Sequence, residues 1–295
     1  MALNTSSATP HSSYRGIFLY CSAIFLFVVM DAFVKYAAET YSPVQVVWAR
    51  YFFHTVLMTA IMLPSQGLRL IKTSNLKIQI VRSMFLLGAT ICFFTALKYV
   101  PLGDAGAVST TAPLFVILFS VLLLKEKISF RRWAAVAVGF GGAMVILRPG
   151  MTEAHPALLL VLGTSVFYAL YQIATRFLNG VDSSVTTLFY TALVGTVVMS
   201  IAAPFSWVAP DLEGWLILAL IGLIGGGSHF IMIRAFAFTT PSTVAPFQYT
   251  QLIWTIVFGF FAFGDFPDNF TIIGAGIIVA SGLYILYRER QLGKA

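Results

Sequence analysis

Long apolar stretches separated by short polar segments run along the whole chain. A membrane helix needs roughly 20 apolar residues, since it rises about 1.5 Å per residue through a hydrocarbon layer about 30 Å thick. The separators contain proline, glycine, asparagine and charged residues, which are typical of helix ends. The alternating segments of about ten residues that a membrane β-barrel needs do not occur. The pattern therefore predicts ten membrane helices, over residues 17–36, 43–64, 76–98, 101–123, 129–147, 157–177, 185–208, 214–236, 241–263 and 270–287.

The composition agrees with a chain surrounded by lipid. Of its 295 residues, 59% are hydrophobic and 10% are charged, whereas soluble domains carry about 25% charged residues. The net charge of +7 does not indicate nucleic-acid binding, because the basic residues lie at helix ends and form no continuous patch. Cys21 and Cys92 each lie inside an apolar run, and the sequence has no phosphate loop or metal-ligand cluster. We expect membrane lipid and a small molecule as partners, no metal, no cofactor, and a chain that can act as a monomer.

The distribution of charge sets the orientation and indicates an inverted repeat. With the N-terminus inside, 14 Lys and Arg residues lie on the cytoplasmic side and three lie outside, so both termini should be cytoplasmic. Five spans per half is an odd number, so the second half enters the membrane upside down. Shifting 93–147 by 139 positions aligns it with 232–286 without a gap, and Glu126 then meets Asp265. The expected fold is all-α, with two inverted five-helix repeats around a central cavity, an arrangement typical of transporters.

Several short segments of the first half form a recognisable pattern. They are Ala96-Leu-Lys-Tyr-Val-Pro-Leu-Gly-Asp, Thr111-Ala-Pro-Leu-Phe, Leu124-Lys-Glu-Lys, Gly139 to Gly142, and Arg148-Pro-Gly. Together these segments resemble the EamA-type repeat of the drug/metabolite transporter superfamily. The second half departs from the pattern at Gly264-Asp265. The resemblance implies repeats over 15–150 and 151–288, between a disordered cytoplasmic tail (1–14) and a second cytoplasmic tail (289–295). The chain is also similar to YddG-type aromatic amino-acid exporters, which implies a multi-pass protein of the bacterial inner membrane.

Polar and aromatic residues near the middle of the spans are the candidates for substrate binding. A residue about ten positions into a span lies near the bilayer centre, where a polar side chain is costly unless it faces the protein interior. Each of these residues could instead hydrogen-bond a neighbouring helix, and His229 could carry a coupling proton. The candidates are Thr110, Thr111, Tyr168, Tyr171, Gln172, Ser228, His229, Gln248, Gln251 and Trp254.

Other residues have expected structural or mechanical roles. Asp31 and Arg50 lie at similar depth on adjacent spans, so an ion pair is expected in preference to a proton relay. The hinge candidates are Pro113, Pro246, Gly225, Gly226 and Gly227, although the glycines also suit tight helix packing. The candidate rim residues, which could also extend to lipid headgroups, are Lys35, Lys98, Tyr99, Arg176 and Arg234.

The function expected from these features is secondary transport rather than catalysis. The resemblance implies export of small metabolites by alternating access, and the mid-depth aromatic residues favour amino acids, including aromatic ones. Carriers of other metabolites, such as riboflavin, use the same scaffold, since a fold does not define a substrate. An intramembrane enzyme acting on lipid is the alternative from a different class.

Overall fold

A computed structural model describes residues 10–126, 128–149, 155–178 and 181–292. Within these ranges every regular element is a helix. The α-helices are α1 (Pro10–Thr40), α2 (Pro43–Gln66), α3 (Leu76–Leu97), α4 (Leu102–Ser109), α5 (Ala112–Leu124), α6 (Phe130–Leu147), α7 (Leu158–Arg176), α8 (Ser184–Ala202), α9 (Leu212–Phe236), α10 (Pro241–Val244), α11 (Thr250–Phe263) and α12 (Asn269–Leu292). Short 3-10 helices cover Gly67–Ile71, Ala203–Ser206 and Ala245–Tyr249.

These helices form the ten predicted membrane spans. In the described part of the chain, nine helical segments are long and apolar enough to cross a membrane, and α4 and α5 together make one of them. The remaining span, the ninth in chain order, consists of α10, the 3-10 helix Ala245–Tyr249 and α11, so its helix is divided into short pieces. The prediction of an all-α polytopic membrane fold is confirmed.

The N-terminal helix begins earlier than the sequence pattern predicts. Residues 1–14 are expected to be disordered, but α1 begins at Pro10, and proline is favoured at a first helical position because its missing N–H has no partner there. At the other end α12 continues to Leu292, into the expected C-terminal tail. Residues 1–9 and 293–295 lie outside the described ranges.

The helix boundaries repeat at the spacing that the sequence alignment predicts. A shift of 139 positions relates the ends of α3 and α9, the starts of α4 and α10, the ends of α5 and α11, and the starts of α6 and α12. The residue that ends α5 is followed by Lys125 with φ 56°, and its counterpart after α11 is Gly264 with φ 72°. Both halves therefore stop the same span with a left-handed residue.

Contacts between connecting segments agree with the ten-span topology. We call the face that holds the start of α1 and the end of α12 the inner face and the opposite face the outer face. Every contact named here joins two segments that the topology places on one face. On the outer face Ser42 bonds Ser206, and Gln45 bonds Val208; on the inner face Thr73 bonds Asp182, and Tyr190 bonds Ile71.

A tryptophan cluster lies at the outer face. The indole of Trp48 on α2 meets that of Trp207 edge-on at 5.2 Å and that of Trp215 at 6.5 Å, measured between ring centroids. Trp207 and Trp215 lie 6.1 Å apart. Tryptophan favours the membrane–water boundary because its ring is apolar and its N–H is polar, so this cluster marks one edge of the bilayer.

The fourth span is broken between α4 and α5, where Pro113 follows. Proline has no N–H, so it cannot bond the carbonyl of Ser109 four residues earlier. The Ser165 hydroxyl of α7 contacts that carbonyl at 3.4 Å. Thr111 Oγ1 in turn lies 3.0 Å from Ser165 Oγ, within hydrogen-bond distance. The break is thus stabilised by α7, the first helix of the second half.

Candidate functional site

Three helices of the bundle each place two residues, four positions apart, on the face toward their neighbours. They are Phe27 and Asp31 on α1, Arg50 and His54 on α2, and Gly225 and His229 on α9. Residues four apart lie one helical turn from each other, about 6 Å along the axis. The arrangement makes two layers. The charged layer contains Asp31, Arg50 and Gly225, and the ring layer, one turn nearer the inner face, contains Phe27, His54 and His229.

Both layers lie well inside the membrane. Asp31 is nine residues from the outer end of α1, and Arg50 is seven residues from the outer end of α2. At about 1.5 Å per residue these positions are roughly 14 and 11 Å deep. The ring layer is one turn deeper, close to the centre of a hydrocarbon layer about 30 Å thick.

The ring layer is a compact stack. The imidazoles of His54 and His229 are nearly parallel, with centroids 5.7 Å apart, and Phe27 meets His229 edge-on at 4.8 Å. His54 is 2% exposed and its Nε2 has no hydrogen-bond partner. Phe27 and His229 keep partial exposure.

The charged layer does not contain the expected ion pair. Asp31 and Arg50 are 5% and 7% exposed, but among the described residues no ion pair within 4 Å joins them. Arg50 NH1 instead donates to Thr90 Oγ1 at 2.6 Å, and its guanidinium lies over the ring of Phe94 at 5.5 Å. The hydrogen bond to Thr90 holds Arg50 from α3 instead. Asp31 and Arg50 influence each other electrostatically without direct contact.

A second buried arginine lies nearer the inner face. Arg82 of α3 is 1% exposed. It donates to Tyr171 Oη at 3.0 Å and to Thr175 Oγ1 at 3.0 Å, both on α7, and to the Thr187 carbonyl of α8 at 2.8 Å. The guanidinium carbon of Arg82 also lies over the ring of Tyr171, 4.7 Å from the ring centroid. Arg82 therefore ties α3 of the first half to α7 and α8 of the second.

The Arg82 network continues to the inner loop through Gln79 and Asp182. Gln79 accepts from Arg82 and donates to Asp182 Oδ2 at 2.8 Å. Asp182 also accepts from the Ser74 amide at 2.9 Å and from the Thr73 hydroxyl. Burial raises the pKa of Asp182, but the hydrogen bonds from Ser74, Thr73 and Gln79 outweigh burial and hold the pKa below its usual range.

The hydroxyl groups of three substrate-binding candidates donate hydrogen bonds to backbone carbonyls of the protein. Thr110 and Thr111 donate to the carbonyls of Ala107 and Val108, and Ser228 donates to that of Ile224. All three residues are less than 9% exposed. In this conformation they act within and between helices, and their assignment to substrate stays a prediction.

The aromatic and amide candidates are more open. Tyr168 stacks on Tyr171 at 5.7 Å, and Trp254 of α11 meets Phe25 of α1 edge-on at 4.9 Å. The structure thus places the α7 tyrosines beside Arg82 and the α11 tryptophan beside α1. The residues of this group that keep partial exposure are Tyr168, Tyr171, Gln172, Gln248, Gln251 and Trp254.

The two classes of hinge candidate differ. Pro113 and Pro246 lie at the helix breaks of the fourth and ninth spans. Gly225 and Gly226 lie in the unbroken helix α9, where a methyl group would lie 2.9 Å from Met30 Sδ and 2.8 Å from His54 Cδ2, respectively. These two glycines permit close packing, which was the alternative role. A methyl group on Gly227 would meet no atom within 4 Å, and hinge motion at any of these sites stays a prediction.

Two of the rim candidates form ion pairs at opposite faces. At the outer face Lys35 Nζ lies 3.6 Å from Asp265 Oδ2 and donates to the Val100 carbonyl at 2.9 Å. At the inner face Arg176 NH1 lies 3.0 Å from Glu126 Oε1. Glu126 and Asp265 are the positions that the 139-residue shift superposes. We call these pairs the outer latch and the inner latch.

The remaining rim candidates lie at the surface. Tyr99 is 52% exposed and stacks on His155, with ring centroids 5.5 Å apart. Lys98 and Arg234 are exposed at the outer and inner ends of their helices. Their exposure agrees with both expected roles, which are extension toward lipid headgroups and lining the rim of the transport pathway.

Arg82 and His54 are not among the site residues expected from the sequence. Arg82 is only the seventh residue of α3, so a charge count alone does not separate it from the loop before it. The signal that could have connected the histidines is the spacing of Gly226 to His229 on one helix, because a glycine there allows a bulky neighbour to approach.

Comparison with known proteins identifies the family. The model of the EamA-like transporter family matches residues 14–148 and 155–287. This chain belongs to the EamA-like transporter family. The matches cover most of both halves of the chain, and the EamA-like protein is accordingly a multi-pass membrane transporter of small molecules.

Characterised relatives of this EamA-like protein have diverse substrates. The pseudopaline exporter CntI of Pseudomonas aeruginosa is 30% identical over 271 residues, covering 90% of this chain and 94% of the relative. The S-adenosylmethionine uptake transporter of Rickettsia bellii is 28% identical, covering 88% and 89%, and the riboflavin transporter of Vibrio cholerae is 28% identical, covering 95% and 96%. A crystal structure at 19% identity matches with a TM-score of 0.67, covering 93% of this chain and 98% of the other, which supports the fold alone.

Proposed function

We propose that this EamA-like protein is a secondary carrier of the bacterial inner membrane that exports amino acids, including aromatic ones, by alternating access. The observation that carries the proposal is the buried Arg50, whose Nε has no partner, one helical turn from the partly exposed rings of Phe27 and His229. A carboxylate is the natural ligand of a guanidinium, and aromatic rings attract a flat side chain. An aromatic amino acid carries both groups.

The relatives support this class of solute in different ways. S-adenosylmethionine, the substrate in the name of the Rickettsia relative, is an amino acid joined to a purine nucleoside. Riboflavin, named for the Vibrio relative, offers a flat ring system without an amino-acid group. Ring-containing metabolites such as riboflavin are therefore the second candidate substrates, and the ring layer is the feature that favours them.

The two latches support alternating access. Each ion pair joins the two halves of the chain at one face of the membrane. One pair can therefore break, and its face can open, while the pair at the other face stays closed. The direction of net transport then follows the solute gradient, and export is proposed from the resemblance to exporters.

Reconstituted protein tests the proposal directly. Liposomes containing the purified carrier are given labelled phenylalanine, threonine, S-adenosylmethionine or riboflavin, with and without a pH gradient. We expect saturable transport of phenylalanine that unlabelled phenylalanine inhibits. Transport of riboflavin without any amino acid would favour the second candidate, and formation of a new lipid product would favour an intramembrane enzyme. A rate that rises with the proton gradient would show proton coupling and would favour His229 as the residue that carries the coupling proton.

A further inference from the structure

We propose that Asp31 and Arg50 form a receptor for the zwitterionic head of an α-amino acid. In this receptor the Asp31 carboxylate accepts hydrogen bonds from the substrate ammonium group, and the Arg50 guanidinium donates to the substrate carboxylate. The inference rests on the proposed function and names its recognition element. The solutes it selects carry both a free α-ammonium and a free α-carboxylate.

The first argument is that two buried side chains able to carry opposite charges are electrostatically coupled without direct contact. A buried charge is costly unless it is paired, and these two side chains are at most 7% exposed. Within the described residues, no hydrogen bond or ion pair joins Asp31 to another side chain. A ligand with a positive and a negative group neutralises both at once, whereas a ligand with one charge leaves the other uncompensated.

The second argument is the spare capacity of Arg50. A guanidinium has five N–H donors, and one of them is used by Thr90. Thr90 is itself held by the Tyr51 hydroxyl at 2.9 Å, so the guanidinium plane is fixed while its Nε remains unpartnered. On the α9 side the neighbour is Gly225, whose missing side chain would otherwise lie 3.7 Å from that Nε. A planar donor group held in place from one side can bind a carboxylate from the other.

The third argument is the spacing between the two layers. The ring layer lies about 6 Å from the charged layer along the helix axes, a distance that the side chain of phenylalanine or tyrosine spans. Phe27 lies one turn from Asp31 and His54 lies one turn from Arg50, in both cases toward the inner face, so a ligand held by its head directs its side chain toward the rings. Rings in edge or offset contact stabilise such a side chain by about 0.5–1.5 kcal/mol.

The experiment measures which part of the ligand each residue recognises. Transport of labelled phenylalanine into proteoliposomes is inhibited with phenylalanine, with 3-phenylpropionate, which lacks the ammonium, and with phenethylamine, which lacks the carboxylate. We expect both analogues to inhibit about tenfold more weakly than phenylalanine, since a hydrogen bond to a charged group is lost in each.

Substitutions then assign the two groups. Asp31→Asn should bring the inhibition constants of phenylalanine and 3-phenylpropionate closer together. Arg50→Gln should bring the inhibition constants of phenylalanine and phenethylamine closer together. The matched controls are Asp211→Asn, which keeps a capping oxygen at the start of α9, and Arg131→Gln at an exposed site. Neither control should change the ratio of the inhibition constants of phenylalanine and either analogue. A purely structural role would lower all three affinities together and would overturn the inference.

The wild-type protein provides a test that needs no variant. Phenylalanine should raise the unfolding temperature of the detergent-solubilised carrier more than either analogue does. If phenylalanine is transported but the analogues bind equally well, the receptor is wrong and the proposed function stands. If no amino acid is transported or stabilises the protein, both are wrong.

Discussion

At the scale of single residues, Gly226 and Gly227 are neighbours with opposite surroundings. A methyl group at Gly226 would lie 2.8 Å from His54 Cδ2 and 3.1 Å from Leu57 Cδ2, whereas one at Gly227 would meet no atom within 4 Å. We expect Gly226→Ala to destabilise the protein by about 1–3 kcal/mol and to impair transport, because it displaces the ring layer. Thermal unfolding in detergent checks this, with Gly227→Ala as the control; equal effects of the two would contradict the packing described.

Asp182 provides a pH prediction. Its pKa is lower in the folded protein than the unfolded value of about 3.9, so its contribution to the free energy of unfolding is present above pH 3.9 and is lost as the pH falls through the folded value. We expect Asp182→Asn to cost about 1–3 kcal/mol near neutral pH. The cost should shrink below about pH 4. Unfolding temperatures of both proteins from pH 3 to 8 test this, and a cost independent of pH would contradict the role of the charge.

The residue scale is also where sequence reasoning was least complete. Depth within a span predicts that His229 and Trp254 lie at mid-membrane, but it does not say which side chain lies opposite. Thr90, a single threonine in an apolar run, captures Arg50 and removes the expected ion pair with Asp31. Such pairings depend on helix rotation and packing, to which residues distant in sequence contribute.

At the scale of elements, the two left-handed helix ends after α5 and α11 make a matched pair. Gly264 adopts φ 72° without strain, while Lys125 adopts φ 56° at a cost of about 1 kcal/mol for a residue with a side chain. We expect Gly264→Ala to lower stability by about 1 kcal/mol and Lys125→Gly to leave it unchanged or raise it. Thermal unfolding of both variants measures this, and destabilisation by Lys125→Gly alone would refute it.

The elements were the most predictable part of the fold. Membrane thickness sets a minimum helix length, so apolar runs define spans, and Pro113 and Pro246 mark the places where spans are broken. The same logic left open whether the helix continues through Gly225, Gly226 and Gly227. It does continue, because packing against α1 and α2 compensates for the weak helix propensity of glycine.

At the scale of the whole molecule, the two latches make opposite predictions. Removing the outer ion pair with Asp265→Asn should favour opening at the outer face, and removing the inner pair with Glu126→Gln should favour opening at the inner face. The equilibrium between the outward-open and inward-open conformations should change by about twofold to fivefold, because partly exposed ion pairs contribute at most about 1 kcal/mol. The measurement is the rate at which an impermeant thiol reagent, added from outside, labels a His229→Cys variant without other cysteines. Changes of the same sign in both variants would contradict the symmetry of the latches.

The orientation in the membrane is a further prediction at this scale. The excess of Lys and Arg on one face predicts that both chain ends are cytoplasmic. Epitope tags at the two ends should resist protease added to spheroplasts and be cleaved in inverted vesicles. Cleavage of either tag in intact spheroplasts would contradict the predicted orientation.

The tryptophan cluster at the outer face has a consequence for spectroscopy. The chain has five tryptophans, and Trp48, Trp207 and Trp215 report on the boundary rather than on the interior. Replacing these three with phenylalanine removes most of the background emission and leaves Trp133 and Trp254. Because Trp254 packs on Phe25 of α1 at 4.9 Å, its fluorescence then becomes an intrinsic reporter of movement between α11 and α1.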